Sequence, residues 1–334
     1  MNWTHRISKM LPIFGAAGLL AVSGSALAGD NFHSKYAPMF EPLPAIAPIP
    51  GNNSLTPAKV ELGKMLFFEP RISASGVISC ATCHNPALGW SDRIPRATGH
   101  DGQVGDRNTP TVLNSGFFGA QFWDGRAATL EEQALGPIEA GIEMNMPLEQ
   151  AIARLKEFDE YKKAFAAAFG GNGERQITEA NVAKALASFQ RTLNTPNSPF
   201  DRYLQGDLSA LTDQQKRGMA AFADNGCLAC HSGPALTDSN FHAIKVPGST
   251  DVGRFAVTGD EADRHRFKTP TLRNVAVTYP YFNNGGTATL GEAVQVMGRE
   301  MLGREFNKRT VDDIVAFLHS LTGEMPDVSI PALP

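Results

Sequence analysis

The chain contains 334 residues, 42% of them hydrophobic, and carries a formal net charge of −4. This composition is that of an ordinary soluble globular protein, and the length is sufficient for two domains with cores of their own. The mildly acidic balance argues against nucleic acid as a partner.

The first 28 residues have the pattern of a secretory signal peptide. Arg6 and Lys9 form a basic start, residues 10–22 are apolar, and residues 26–28 give an A-x-A cleavage site. An uncleaved membrane anchor is the alternative, but the apolar run is shorter than the roughly 20 residues needed to span a bilayer. We therefore expect cleavage after the A-x-A site and no membrane segment in the mature protein. Loss of the two cations takes the net charge from −4 to −6.

Residues 29–50 contain five prolines and show little periodicity, which predicts an extended lead-in on the surface. A helical pattern begins after Thr56 and continues to Phe67. Thr56 is a suitable N-cap, and Pro57 follows it at the first helical position. A short loop then separates this helix from the motif on which the functional interpretation depends.

That motif is the run C-x-x-C-H, which occurs at residues 80–84 and again at residues 227–231. Two thiols at this spacing can each bond a vinyl group on one porphyrin edge, and the following histidine can then ligate the iron. A chance match, a zinc half-site or a thioredoxin-like pair could explain one copy. Two copies use all four cysteines, so we predict two covalent haems c, one on Cys80, Cys83 and His84 and one on Cys227, Cys230 and His231. Because c-type haem is attached outside the bacterial inner membrane, we expect a periplasmic protein.

Other patterns also occur once in each half of the chain. The paired stretches are 63–67 and 218–222, 109–114 and 269–274, and 122–130 and 282–290. So long a period indicates an internal duplication into two equivalent domains rather than a solenoid. Strand-like alternation is scarce, so we predict a mainly α fold of two cytochrome c-like haem domains with long loops. Their predicted bounds are 51–195 and 196–323, followed by a tail over 324–334.

Three further helix signals complete this outline. Thr178 is a suitable N-cap for a helix that ends near a proline-containing linker at residues 195–199. Thr212 and Gln215 form a capping box before the second motif. Residues 310–321 are predicted to form a last amphipathic helix.

The two halves of the repeat differ at one position that affects ligation of the haem iron. Seven residues after Leu290 the chain has Met297, whereas seven residues after Leu130 it has Pro137. A methionine sulfur closes the sixth position of a haem iron and suits electron transfer, while proline cannot ligate iron. We therefore predict Met297 as a ligand of the second haem, with Met301 as a competing ligand and core packing as the alternative role. The first haem is then either open to peroxide or held by another ligand.

Candidates for the distal side of the first haem lie in residues 98–146. His100 stands among glycines and could swing on and off the iron, although a solvent-exposed loop histidine is the simpler interpretation. Glu143 could move a proton between the two oxygens of peroxide, or could be a solvated surface carboxylate. Met144 and Met146 are further candidate ligands, ranked below His100.

Long motifs outside the haem runs resemble those of the bacterial dihaem cytochrome c peroxidases, over about residues 55–334. They are Arg107 to Asn114, Gln121 to Arg126, Glu143 to Asn145, Leu272 to Ala276 and Leu318 to Glu324. The resemblance implies that the first haem is the peroxidatic one. Its implied residues are His100 as a removable sixth ligand, Glu143 as the acid-base catalyst and Gln133 nearby.

The resemblance also implies roles around the second haem and the domain interface. The second haem would receive the electrons with Met297 as its axial ligand, and Trp123 would assist electron passage between the haems, a buried core aromatic being its alternative role. A calcium ion would be held by the Asn108 side chain and the carbonyls of Thr278 and Pro280. A homodimer is expected. The family often has histidine where this chain has Asn283, so no proton or solvent-channel role is expected there.

Together these features predict a periplasmic cytochrome c peroxidase that reduces hydrogen peroxide with electrons from a small c-type cytochrome or a blue-copper protein. One alternative is a dihaem enzyme of the methylamine-dehydrogenase maturation type, which oxidises a partner protein and carries tyrosine at the position of Met297. Another is a plain dihaem electron carrier, against which the missing methionine of the first half argues.

Overall fold

The computed structural model describes residues 26–334, with side chains from residue 31 onward, so most of the predicted signal peptide lies outside the described residues. The described chain is mainly helical and contains a two-stranded antiparallel sheet. No helix in this part of the chain has the length and apolarity needed to cross a membrane. The helices are α1 (Ala26–Tyr36), α2 (Pro57–Phe67), α3 (Cys80–Cys83), α4 (Leu130–Glu139), α5 (Leu148–Lys156), α6 (Asp159–Phe169), α7 (Gly173–Gln176), α8 (Glu179–Gln190), α9 (Pro199–Leu204), α10 (Asp213–Asp224), α11 (Phe255–Thr258), α12 (Leu290–Leu302) and α13 (Lys308–His319), and the strands are β1 (Phe241–Ala243) and β2 (Arg266–Lys268).

The start of the described chain corrects the prediction of an extended lead-in over residues 29–50. α1 and a 3-10 turn over Ala37–Met39 occupy its first part, and irregular chain follows. The prolines that suggested extended backbone come after α1 rather than within it, so they do not oppose that helix. Tyr36 and Phe40 are buried, and the Phe40 ring meets Phe200 edge-on with centroids 5.1 Å apart.

The helix starts follow the capping residues closely. The predicted N-caps Thr56, Thr178 and Thr212 each accept a hydrogen bond from the backbone N–H three residues later. The last helix begins two residues earlier than predicted, because the Asn307 side chain accepts from the Thr310 N–H and caps α13 at Lys308.

Buried apolar side chains form two clusters. The first is drawn from residues 62–193, and the second from residues 200–321 together with Tyr36 and Phe40. α2 packs on α8 in the first cluster, and α10 packs on α13 in the second.

Glycine permits both of these helix crossings. A Cβ added to Gly63 would lie 2.0 Å from the carbonyl oxygen of Ala185, and one added to Gly218 would lie 1.8 Å from that of Asp313. No side chain fits at such distances, so the glycine of each Gly-x-x-x-Phe pattern is needed for the close approach of the two helices.

The two halves of the chain meet at Thr195, within the predicted linker. Its hydroxyl accepts a hydrogen bond of 2.8 Å from each of the Asn114 and Asn274 side chains. These asparagines occupy matching positions of the repeated patterns and both have left-handed backbone, with φ of 60° and 62°. Gly323 lies against Thr195, since a Cβ there would be 1.9 Å from the Thr195 carbonyl oxygen.

Candidate functional site

The first C-x-x-C-H motif forms the single turn α3, and His84 ends that turn. The His84 Nδ1 atom lies 3.3 Å from the carbonyl oxygen of Trp90, which orients the ring and leaves Nε2 free to ligate an iron. Phe67 of α2 packs beside this ring, with centroids 6.4 Å apart. Burial lowers the pKa of His84, so its imidazole is neutral, which is the form that binds metal.

The second motif repeats this arrangement on a 3-10 turn over Cys227–Ala229. The His231 Nδ1 atom lies 3.3 Å from the carbonyl oxygen of Leu236, and Phe222 of α10 packs beside the ring with centroids 6.3 Å apart. Burial lowers the pKa of His231 to about 4, so this imidazole is neutral as well. Each motif therefore presents one oriented imidazole nitrogen.

One continuous cavity of about 1020 Å³ reaches both motifs. The six predicted attachment residues all line it, and apolar side chains of both clusters, including Phe67, Leu186, Phe222 and Ile314, contribute to the wall. A thiol pair and a neutral, oriented imidazole at each motif, in a cavity with much apolar wall, meet the requirements of a covalently attached haem. The residues present therefore fit two haems c.

α12 brings two methionines to this cavity. Met297 and Met301 are one helical turn apart, and both line the wall, so the geometry keeps both as candidate ligands. Pro137, at the matching position of α4, also lines the cavity and offers no ligating atom. Met144 reaches the cavity, whereas Met146 is buried in the first cluster and does not line it.

Glu143 lies on the cavity wall in a turn that follows α4. Desolvation raises the pKa of Glu143, with Arg126 opposing the rise. Cys80, Cys83 and His84 line the same cavity, so the carboxylate shares that space with the first motif. A desolvated carboxylate in a cavity is suited to proton transfer and is not the solvated surface group that was the alternative.

His100 lies beside the cavity rather than on its wall, although Gly99 reaches the wall. The His100 N–H donates a 2.8 Å hydrogen bond to the carbonyl oxygen of Glu143. Its Nε2 atom is 3.3 Å from Asp101, and its buried Nδ1 atom has no hydrogen-bond partner. A Cβ on Gly99 would lie 2.0 Å from the carbonyl oxygen of Ile142, so the loop is packed directly onto the turn that carries Glu143.

Trp123 and Gln133, the two further residues named from the family resemblance, both line the cavity. The Trp123 Nε1–H donates to the carbonyl oxygen of Asn108 over 2.9 Å, and its own carbonyl oxygen accepts from the Lys268 N–H over 2.8 Å. Trp123 therefore connects the first half of the chain to β2 of the second.

The predicted calcium ligands Asn108, Thr278 and Pro280 also line this cavity. The Asn108 Nδ2 atom donates to the carbonyl oxygen of Ile94 over 2.9 Å, which leaves Oδ1 available as a ligand. Asn283, whose carbonyl oxygen accepts from the Asn108 N–H over 2.7 Å, has a buried Oδ1 atom without a hydrogen-bond partner. Amide and carbonyl oxygens are ligands that suit Ca²⁺, so this donor set fits the ion.

Two features of the wall were not predicted. Arg107 donates to Asp124 over 2.5 Å and to Asp251 over 2.6 Å, and these acids hold the pKa of Arg107 above its usual range although burial opposes them. Lys268 is buried on the same wall. The RNTPT motif pointed to Arg107, but nothing in the sequence pattern pairs it with Asp251, which lies 144 residues away.

The fold and the paired motifs define a c-type cytochrome with two haem-binding motifs on one cavity. A family model described as di-haem cytochrome c peroxidase matches residues 57–209. The cytochrome c551 peroxidase of Nitrosomonas europaea is 48% identical over 295 residues, which cover 86% of this chain and 87% of the relative. That of Pseudomonas aeruginosa is 42% identical over 335 residues, with coverage of 98% and 96%. The methylamine utilization protein MauG of Methylorubrum extorquens is 44% identical over 304 residues, with coverage of 87% and 86%.

The chain belongs to the di-haem cytochrome c peroxidase family, which confirms the predicted family and the predicted class of enzyme. It is accordingly a peroxidase-class oxidoreductase with two haem groups. The relatives include a MauG protein at an identity similar to that of the peroxidases. Membership of this family therefore identifies the haem chemistry of the chain but does not identify its substrate.

Proposed function

We propose that this enzyme reduces hydrogen peroxide to two waters in the periplasm, with two protons and with two electrons drawn from a small c-type cytochrome or a blue-copper protein. The observation that carries the proposal is the asymmetry of the shared cavity. Methionines line it from α12, whereas the matching position of α4 is Pro137, and the Glu143 carboxylate lines the same cavity as the first motif. This difference supports electron entry at the second motif, where a methionine would ligate the iron, and peroxide binding at the first motif, where the sixth position would be held only by a removable ligand.

The haems, when bound, supply peroxide binding and electron transfer, and the chain supplies the proton chemistry. Glu143 accepts the proton of the inner peroxide oxygen and returns it to the outer oxygen, which leaves as water. The raised pKa of Glu143 lies closer to the operating pH, so its carboxyl group is better suited both to accept a proton and to donate it. Gln133 lies on the same wall as a further polar group, and Trp123 bridges the two halves on the path between the motifs.

His100 is proposed as the removable ligand of the first iron. Its buried Nδ1 atom has no partner, and its loop is held to the turn of Glu143 by a backbone hydrogen bond of 2.8 Å, by a 3.4 Å hydrogen bond from the Gln103 side chain to the Gly141 carbonyl oxygen, and by the close packing of Gly99. A shift of this loop would therefore alter the ligand and the environment of the catalytic carboxylate together.

The finer organisation of the molecule belongs to the same proposal. Two domains, at residues 51–195 and 196–323, arose by duplication, which the matched glycine crossings, histidine contacts and asparagine conformations support. A calcium ion is held at their interface by Asn108, Thr278 and Pro280. The mature protein is a homodimer.

A MauG-type activity on a partner protein is the second candidate, favoured by the similarity to the Methylorubrum extorquens protein. Enzymes of that type resemble the peroxidases but carry tyrosine as the axial ligand of the second haem. α12 contains methionine at two cavity positions and no tyrosine. The ligand set of this chain therefore favours the peroxidase.

The test is a stopped-flow titration of the half-reduced dihaem protein with hydrogen peroxide and a reduced small cytochrome c as donor. We expect one peroxide consumed for every two cytochromes oxidised, without any partner protein. Inertness towards peroxide with both irons low-spin would instead identify an electron carrier. Turnover only in the presence of an amine dehydrogenase precursor would identify the MauG-type enzyme.

A further inference from the structure

Lys268 ends β2 and lies on the wall of the haem cavity with only 7% of its surface exposed. Its backbone N–H donates to the carbonyl oxygen of Trp123 over 2.8 Å. Its Nζ atom lies 4.7 Å from the centroid of the Phe118 ring. The amine thus extends from the second half of the chain to the first, at the place where both contribute to the wall.

Other cations on this wall are neutralised or reach solvent. Arg107 and Arg126 both form ion pairs with Asp124, and Arg96 is exposed. Among the described residues, no carboxylate forms a salt bridge with Lys268. Burial lowers the pKa of the Lys268 amine to about 8, with Asp238 opposing the shift, so most of the amine is still charged at neutral pH.

A buried ammonium group without an anion is costly, and the ring of Phe118 offsets only part of that cost. A haem bound in the cavity supplies the missing anions, because it retains two propionate carboxylates when its vinyl groups are bonded to cysteines. The propionates of a haem are on the edge of the porphyrin away from the vinyl groups, so a haem bonded to either motif would offer its carboxylates to a cation on the wall of this cavity, which Lys268 lines.

We propose that Lys268 is a positioning residue that binds a propionate of a haem in this cavity and raises the reduction potential of that haem. The proposal rests on the assignment of two haems to the cavity. A nearby cation favours the reduced iron because reduction adds a negative charge to the site.

The test compares the dihaem proteins Lys268→Met, which keeps the length of the side chain without its charge, and Lys268→Arg, which keeps the charge. Lys245→Met is the matched control, because Lys245 is exposed and does not line the cavity. Redox titration followed by visible spectra gives the potential of each haem, and resonance Raman spectra report hydrogen bonding of the propionates. The haem content of each protein is measured first.

We expect Lys268→Met to lower the equilibrium constant for reduction of one haem about tenfold, which is about 59 mV for a one-electron couple, and to shift its propionate bands. Lys268→Arg should retain most of the potential, and Lys245→Met should match the wild type. Unchanged potentials and propionate bands in Lys268→Met overturn the proposal.

The haem content separates the remaining outcomes. If Lys268→Met matures with less haem, full loading of Lys268→Arg supports the proposal, and equal deficiency of both variants overturns it in favour of a packing role. A wild-type protein that holds fewer than two haems refutes the two-haem assignment itself.

Discussion

Replacing Glu143 with glutamine removes the proposed proton acceptor and keeps the shape of the side chain. Because Glu143 lies on the wall of the cavity that the first motif also lines, we expect both the proton uptake and the proton delivery to be lost. A positioned acid-base group contributes about 10²–10⁴ in rate, which is about 3–5 kcal/mol of the activation barrier. The backbone carbonyl that accepts from the His100 N–H is retained in this variant, so the loop should remain docked.

The pH dependence gives the same prediction a second signature. The reactive form must be the carboxylate, since it has to accept a proton from peroxide, and desolvation raises the pKa of Glu143 above 4.5. The rate of the wild type should therefore fall as the pH is lowered through that raised pKa. The fall should occur at a higher pH than it would for a glutamate with an ordinary pKa. The rate of Glu143→Gln should not show this fall at low pH.

Anaerobic stopped-flow mixing of the half-reduced protein with peroxide measures both effects, and the spectra and potentials of the two haems serve as checks on integrity. Glu139→Gln is the matched control, because Glu139 is exposed at the end of α4 and does not line the cavity. A Glu143→Gln rate within about twofold of the wild type, or an equal loss in Glu139→Gln, would refute the assigned role.

Four other substitutions test the haem ligands and the stability of the first half. Met297→Leu should lower the potential of the second haem and stop turnover with a cytochrome donor, as followed by redox titration; if Met301→Leu does this instead, Met301 is the ligand. His100→Gly should make the first haem of the oxidised protein high-spin in electron paramagnetic resonance and reactive with peroxide without prior reduction, whereas a spectrum identical to that of the wild type leaves His100 a loop residue. Glu69 is fully buried, and although burial opposes the shift, hydrogen bonds from Arg71 and Tyr161 lower its pKa. The difference in unfolding free energy between the wild type and Glu69→Gln should therefore be constant above about pH 4.5, the ordinary carboxyl value, and shrink as the pH falls through the lowered pKa; a difference that does not change with pH contradicts this.

The parts of the site that were predictable are those whose chemistry is local in sequence. The cysteine spacing of each motif is set by one porphyrin edge, and its histidine is fixed by the next residue along the chain. The helix starts at Thr56, Thr178 and Thr212 were predictable for the same reason, because an N-cap hydroxyl bonds a backbone N–H only three residues later in the chain. Mainly helical structure followed from the same signals.

The parts that were not predictable depend on contacts between distant segments. The ion pair of Arg107 with Asp251 and the burial of Lys268 arise only when the two halves enclose one cavity. α1 was missed because Tyr36 and Phe40 gain their burial from the second cluster, far away in sequence. The sequence spacing could not distinguish Met297 from Met301, since one helical turn separates them and both reach the cavity.

Asn108 shows how the separate pieces of the site depend on one another. It ends the glycine-containing loop of His100, its carbonyl oxygen accepts from the Trp123 indole, and its N–H donates to the carbonyl oxygen of Asn283 in the second half. The opposite junction, at Thr195, is held by two symmetric asparagine hydrogen bonds and offers no such connection to the distal loop. Asn108 therefore contacts the tryptophan and the second half of the chain at once, and an ion bound to its side chain would restrain these contacts together.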